Sequence, residues 1–215
     1  VSTWGIVVAG GTGSRFGTAK QFESIAGIRL VDRAVEATAA ACDGVVVVLP
    51  DAFAWDGAPV SAAVVGGASR SASVRAGLAA TPASASVVVV HDAARPLASP
   101  ELFAAVIAAV ESGADAAVPA LPVPDTVKRV SGDRVVETVS RDGLVAVQTP
   151  QAFRADALRA AHTSGADATD DATLIEASGG RVVVVPGDSK NLKVTTQSDL
   201  VIAAALVAGA SRERS

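Results

Sequence analysis

An α/β fold with a mostly parallel central sheet is the expectation from this sequence, and three observations carry it. Short valine-rich runs alternate with alanine-rich stretches of helical period, while aromatics make up only 3% of the 215 residues, which disfavours an aromatic-packed sandwich. The runs at residues 45–49 and 87–90 are apolar without alternation, the pattern of strands covered on both faces. Several runs empty directly into glycine-bearing or charged loops at their carboxyl ends, where open α/β sheets bind ligands.

The first strand, residues 6–9, runs into Gly10-Gly11-Thr12-Gly13-Ser14-Arg15-Phe16-Gly17-Thr18-Ala19-Lys20-Gln21. Glycines let successive backbone N–H groups turn toward one anion, and Arg15 and Lys20 add full charges suited to a triphosphate. Two familiar phosphate loops do not fit. The dinucleotide fingerprint asks for glycine where Phe16 stands, and the nucleoside-triphosphatase loop asks for Gly-Lys-Ser/Thr where Lys20 lies between Ala19 and Gln21. The remaining pattern, Gly-Gly-x-Gly-x-Arg followed by Lys-Gln, resembles the loop of nucleotidyltransferases that join a sugar or polyol phosphate to a nucleoside monophosphate. An ordinary basic surface loop is the competing reading. A helix over residues 30–41, stopped by Gly44 before the strand 45–49, completes a right-handed βαβ unit, and residues 50–59 read as a looser connection.

Val64-Val65 leads into Gly66-Gly67-Ala68-Ser69-Arg70, with Ser69 or Ser71 as the cap of a helix reaching Ala80. Its free N–H groups suit a base edge or ribose; a plain capped turn is the alternative. The strand 87–90 delivers His91-Asp92-Ala93-Ala94-Arg95-Pro96. There Asp92 suits a divalent ion or a ribose hydroxyl and Arg95 a phosphate, unless the two simply pair to pin the turn. His91 reads as a hydrogen-bonded structural residue rather than a base. A helix over 100–112 and a strand over 116–120 follow. Past Pro119, Pro122 and Pro124, residues 125–130 and 134–139 alternate around Ser131-Gly132-Asp133 as a hairpin. Two isolated strands are marginal in water, so the hairpin reads as an arm packing on a second copy of the chain, with folding back on its own domain as the alternative. Within residues 145–153, after Arg141-Asp142-Gly143-Leu144, a short strand meets a proline-fixed turn. A helix over 154–162 comes next, then one through Ala177 with Thr169 as cap and Asp170 and Asp171 against its dipole. A strand over 182–185, the polar, basic segment 187–195 and a helix over 197–207 complete the reading.

A net charge of −4 does not suit a surface built for nucleic acid, so any anion site is local. Cys42 is alone, which excludes an internal disulfide or a cysteine metal cluster, and reads as a small buried residue at a helix end. No opening basic-plus-apolar segment occurs, and no apolar run approaches the roughly 20 residues of a membrane span, so a cytoplasmic setting is expected. Residues 1–215 are expected to form one domain with 122–148 as its arm.

Several motifs together resemble one family: Ala9 to Arg15 with Lys20-Gln21, Gly66-Gly67 with Arg70 and Ser73, His91 to Pro96, Thr149-Pro150-Gln151, Thr169-Asp170, and Asn191-Leu192-Lys193-Val194-Thr195. In order and across nearly the whole chain, they resemble the 2-C-methyl-D-erythritol 4-phosphate cytidylyltransferases. That resemblance implies a Rossmann-like, three-layer nucleotidyltransferase fold with a protruding β-arm that joins two subunits into a homodimer. It implies transfer of CMP from CTP to 2-C-methyl-D-erythritol 4-phosphate, with release of pyrophosphate, in the non-mevalonate isoprenoid pathway. It further implies catalytic roles for Arg15, Lys20 and Lys193, and nucleotide contacts from Ala9, Gly10, Gly11, Thr12, Gly13, Gly67, Ser73, Asp92 and Ala93. Thr149, Thr169 and Lys193 would line the acceptor pocket, with Arg95, Thr126 and Arg141 brought in from the partner subunit. Magnesium (Mg2+) is the implied metal, carried mainly by the CTP phosphates with Asp92 as a candidate ligand. Two departures stand out: the gap from Arg15 to Lys20 is shorter than in some relatives, and Ala68 replaces an acid often found after the double glycine. In such chemistry a phosphate dianion attacks an anionic triphosphate, so the site must gather cations, and the attacking oxygen, already ionised, needs no general base. Competing readings are a ribitol 5-phosphate cytidylyltransferase of the same build, a non-catalytic nucleotide sensor, and a dinucleotide-dependent oxidoreductase, which the failed fingerprint disfavours.

Overall fold

Valine runs become strands wherever neighbouring backbone can pair with them, and the helices between them cover both faces of the resulting sheet. The computed structural model describes residues 1–10 and 20–212. Along the chain come β1 (Thr3–Val8), a 3-10 turn at Lys20–Phe22, a small hairpin of β2 (Ser24–Ile25) and β3 (Ile28–Arg29), α1 (Leu30–Ala39) and β4 (Gly44–Leu49). Next are β5 (Ala62–Val65), α2 (Arg70–Ala80), β6 (Val87–Asp92), α3 (Pro100–Glu111) and β7 (Ala116–Pro122). The hairpin β8 (Val127–Ser131) and β9 (Arg134–Val139) precedes β10 (Val145–Val147) and β11 (Gln151–Arg154). The chain continues with α4 (Ala155–His162), α5 (Asp171–Ala177), β12 (Val182–Pro186) and α6 (Gln197–Arg212).

The central sheet runs β5-β4-β1-β6-β11-β7-β12, with β10 beside the far end of β7. Strands β5, β4, β1 and β6 are parallel neighbours, and β12 is parallel to β7. Two strands run the other way, the first being β11, antiparallel to both β6 and β7. β10, also antiparallel to β7, continues the same line, parted from β11 at Gln148-Thr149-Pro150, where the Thr149–Pro150 bond is cis. Within 145–153 the sequence predicts one short strand meeting a proline-fixed turn; the structure has a strand on each side of the proline, and 151–154 is one because β6 and β7 offer hydrogen-bonding edges on both sides and Ala152 and Phe153 are buried between them.

Alternation sorts the core into two halves. Ile6, Val48, Val88 and Val90 face Val74 and Leu78 of α2, Leu158 of α4 and Ile175 of α5. Val7, Val45 and Val47 face Val31 and Val35 of α1, while Val87 and Val89 face Phe103 and Val106 of α3. Helices on both faces of a mostly parallel sheet make the expected three layers. Contact between layers is close at Gly77, where an added Cβ would lie 2.5 Å from Ile6 Cγ2. Cys42, expected to be buried at a helix end, lies past the end of α1 and is only half-buried, and burial, helped by the charge of Asp43, pushes its thiol up to about 12. Among the described residues, strands β8 and β9 pair only with each other and leave Val130, Val135 and Val136 more than half exposed, at 58%, 54% and 52%. Among the described residues, no helix is long and apolar enough to cross a membrane.

Candidate active site

Three strand ends and the segment after β12 enclose a cleft of about 480 Å³. At the end of β1, Ala9 N–H donates to the Val48 carbonyl at 2.8 Å, and the Ala9 carbonyl accepts from Gln21 Nε2 at 2.7 Å. Gln21 is 4% exposed, and this bond ties the 3-10 turn at Lys20–Phe22 to the end of β1. Beside it, the loop after β5 comes so close that an added Cβ on Gly66 would lie 2.8 Å from Ser73 Oγ and one on Gly10 3.1 Å from the same atom. Ser73 Oγ donates to the Ser69 carbonyl at 2.9 Å and accepts from Gly67 N–H at 3.2 Å, holding that loop on the first turn of α2. Ser69, one of the two predicted caps, accepts from Ala72 N–H at 3.1 Å and donates to Asp167 at 2.6 Å.

The end of β6 forms the floor. His91 is fully buried, with Nε2 3.1 Å from the Arg95 carbonyl and Nδ1 3.2 Å from Thr149 Oγ1. Burial pushes its ring down to about 4, so it stays neutral near pH 7, the structural residue the sequence predicts. Thr149 Oγ1 also accepts from Asp92 N–H at 3.0 Å.

The Asp92 side chain meets two cations: Lys193 Nζ donates to Oδ2 at 2.7 Å and Arg70 Nε to Oδ1 at 3.3 Å. Burial works against ionisation here, but the charges of Arg70 and Lys193 prevail and hold the carboxyl well below the usual carboxylate range. Arg70 Nη1 reaches in the opposite direction to Asp171 Oδ2 at 2.7 Å, and Asp171 Oδ1 lies 2.9 Å from His162 Nε2. A chain of alternating charge thus runs from the helix side of the sheet to the cleft.

Of the residues predicted from sequence, Ala9, Gly10, Gly67, Ser73, Asp92, Ala93 and Lys193 line this one cleft. Gly11, Thr12, Gly13 and Arg15 lie outside the described residues, as does the side chain of Lys20. Thr149 stands behind the cleft, 5% exposed. Arg95 does not pair with Asp92: its Nη1 donates to the Asn191 carbonyl at 2.8 Å and its Nη2 to that of Val147 at 3.3 Å, tying the Lys193 segment to β10. Exposed Thr126 and Arg141 flank the hairpin, and Arg141 donates to the Pro124 carbonyl. Thr169 is exposed and is not the cap of α5; Asp170 takes that role, accepting from Thr173 N–H at 3.0 Å. The sequence reading missed the participation of Asp171 and His162, since their partner Arg70 lies 101 residues from Asp171 and no local pattern signals the contact.

A family model described as "IspD: 2-C-methyl-D-erythritol 4-phosphate cytidylyltransferase" matches residues 4–209. The chain belongs to this family. As a 2-C-methyl-D-erythritol 4-phosphate cytidylyltransferase family member it is a nucleotidyltransferase of isoprenoid biosynthesis. It is 39% identical over 223 residues to the 2-C-methyl-D-erythritol 4-phosphate cytidylyltransferase of Rubrobacter xylanophilus, covering 98% of this chain and 96% of that relative. It is 46% identical over 213 residues to the enzyme of the same name from Frankia casuarinae, covering 94% and 80%. A bifunctional IspD/IspF enzyme of Clavibacter michiganensis is 46% identical over 220 residues; these are 94% of this chain, which spans only about half of that relative, 54%. Among solved structures, the 2-C-methyl-D-erythritol 4-phosphate cytidylyltransferase of Thermus thermophilus superposes with a TM-score of 0.83 at 37% identity, covering 96% of this chain and 98% of that one.

Proposed function

We propose that the cleft binds CTP together with 2-C-methyl-D-erythritol 4-phosphate and that the cations around it bring the acceptor phosphate onto the α-phosphorus of the nucleotide. The observation that carries this reading is the meeting of Asp92 and Lys193, 101 residues apart, at 2.7 Å in the cleft edged by the Gly10 and Gly67 loops. An acceptor phosphate oxygen attacks the α-phosphorus, the bond from that phosphorus to the oxygen bridging the β-phosphorus breaks, and pyrophosphate leaves with the electron pair. No proton has to move. What opposes the step is repulsion between a dianion and a polyanion, and fixed positive charge in a confined site offsets it.

Lys193 Nζ, with its side chain 42% exposed, is free to exchange Asp92 for an incoming phosphate, and we assign it the acceptor phosphate. To Arg15 and Lys20 we assign the triphosphate, since Gln21 anchors the far end of their loop on β1. The Gly10 and Gly67 backbones, with Ser73 and Ala93, take the nucleoside. Thr149 supports this set by fixing the backbone of Asp92, and Arg95 by fixing the Lys193 segment.

A magnesium ion fits the donors present. Among the described residues no group of three or more histidine, cysteine or acidic side chains could cage a metal, but Asp92 faces the cleft with Oδ1 engaged only at 3.3 Å. Magnesium keeps several waters and takes one or two carboxylates plus substrate phosphates, so Asp92 beside a triphosphate is a suitable holder. Bound there, the ion would neutralise phosphate charge.

We further propose a cytoplasmic homodimer in which residues 122–148 are the arm of a single domain. Supporting this, among the described residues the hairpin pairs with no other strand, exposes three valines, and carries Thr126 and Arg141 at its base, outside the cleft of their own chain. The arm would deliver these two residues to a partner's acceptor site. Pyrophosphate release is the deciding assay: CTP, magnesium and methylerythritol phosphate should give turnover, with ribitol 5-phosphate much poorer. Binding of CTP without turnover, or preference for ribitol phosphate, overturns the reading.

A further inference from the structure

Asp171 has both oxygens engaged and a fully buried side chain, yet it does not line the cleft. Its position at the start of α5 does not account for it, because Asp170 already caps that helix. Burying a carboxylate is costly, and an apolar residue of similar size usually serves stability as well or better. The charge of Asp171 therefore needs a use, and its neighbours supply one. His162 Nε2 lies 2.9 Å from Oδ1, and its buried Nδ1 makes no hydrogen bond among the described residues. On the other side, Oδ2 draws Arg70 Nη1 to 2.7 Å, so that Arg70 meets Asp92 through Nε alone, at 3.3 Å, and its Nη2 is buried without a hydrogen bond among the described residues.

We propose that Asp171 is a positioning residue for Lys193, acting through Arg70 and Asp92, and that His162 keeps it in place. An arginine released from behind turns its fork onto the nearest carboxylate, since paired N–H groups match two oxygens. With Asp171 drawing Nη1 toward itself, Nε reaches Asp92 only at 3.3 Å and Nη2 does not close on the second oxygen, so Oδ2 stays with Lys193. Once Asp171 loses its charge, Arg70 closes on Asp92 and displaces the half-exposed Lys193 from the cleft edge. The inference rests on the assignment of Lys193 to the acceptor phosphate.

Steady-state kinetics on Asp171→Asn, with both substrates varied, test it. The expected result is a loss of about 10- to 100-fold in kcat/KM for the acceptor, the scale of a misplaced binding group, with KM for CTP unchanged within about threefold. In the Lys193→Ala background, Asp171→Asn should cost little more, because the residue through which it acts is already gone. His162→Gln, which keeps an N–H donor, should retain turnover, whereas His162→Leu should resemble Asp171→Asn. Should Asp171→Asn fail to fold, the contrast between the two His162 variants decides the matter. Wild-type turnover in Asp171→Asn, a multiplied loss in the double variant, an equal rise in KM for CTP, or equal activity of the two His162 variants would overturn the inference. Absence of turnover in the unaltered chain would instead overturn the assigned reaction.

Discussion

Lys193 and Lys20 are the side chains on which the proposed chemistry leans most directly. Replacing either with alanine should lower turnover about 100-fold or more while circular dichroism and thermal midpoint stay unchanged, since each removes a charge assigned to the chemistry, and Lys193 is exposed rather than part of the core. Activity within a few-fold of the parent in both would end that assignment. His91 makes a different forecast. Free histidine takes up a proton near 6.5 and the buried ring only near 4, so between those values the unfolded chain binds a proton that the folded chain refuses. Its contribution is complete above pH 6.5 and is lost as pH falls toward 4, by about 3 kcal/mol in all. Urea midpoints measured from pH 7.5 to 4.5 should show this slope, and His91→Asn should flatten it. Single residues are legible where a short motif with nameable chemistry holds them: Asp92 ends β6, Gly67 follows β5, and Lys193 lies in the polar, basic segment after β12. Asp171 was not, because a carboxylate in the first turn of a helix is explained by the helix dipole until its distant partner is seen.

Helix α2 shows why some elements could be read and others not. A serine before a helix is a local signal, and Ser69 caps as predicted; Ser69→Ala should cost about 1 kcal/mol, read from a denaturation midpoint. Its face toward the sheet is set by Gly77. Alanine there would put a methyl group 2.5 Å from Ile6 Cγ2, and the overpacking should destabilise the fold by about 1–3 kcal/mol. Strand β11 carries no comparable local signal: four residues next to a proline become a strand only because two edges meet them. The β2–β3 hairpin escaped for a related reason. Its turn places Ala26 and Gly27 at φ 50° and 79°, a geometry that asparagine or aspartate before glycine would advertise and alanine does not. Aromatics are scarce in this chain, yet Phe22 and Phe53 stack with centroids 4.2 Å apart just after Gln21, bracing the exit of the glycine-rich loop.

At the scale of the molecule, the parallel strands, the two helical layers and the isolated hairpin follow from hydrophobic period and proline punctuation, which are properties of the chain itself. Pairing across the sheet could not be read, since the insertion of β11 between β6 and β7 depends on residues far apart. The proposed assembly is open to a direct check: Val136→Glu on the exposed hairpin should shift the chain from dimer to monomer in sedimentation and reduce turnover, without lowering the thermal midpoint of the domain by more than a few degrees. Strand β6, enclosed by β1 and β11 and buried along its length, has a consequence for how the molecule breathes. Its amides open only when the whole sheet does, so in heavy water they should be the last to exchange, while the hairpin exchanges early. The aspartate at the cleft floor therefore rides on the slowest part of the protein, and the basic segment above it can come and go around a fixed mark.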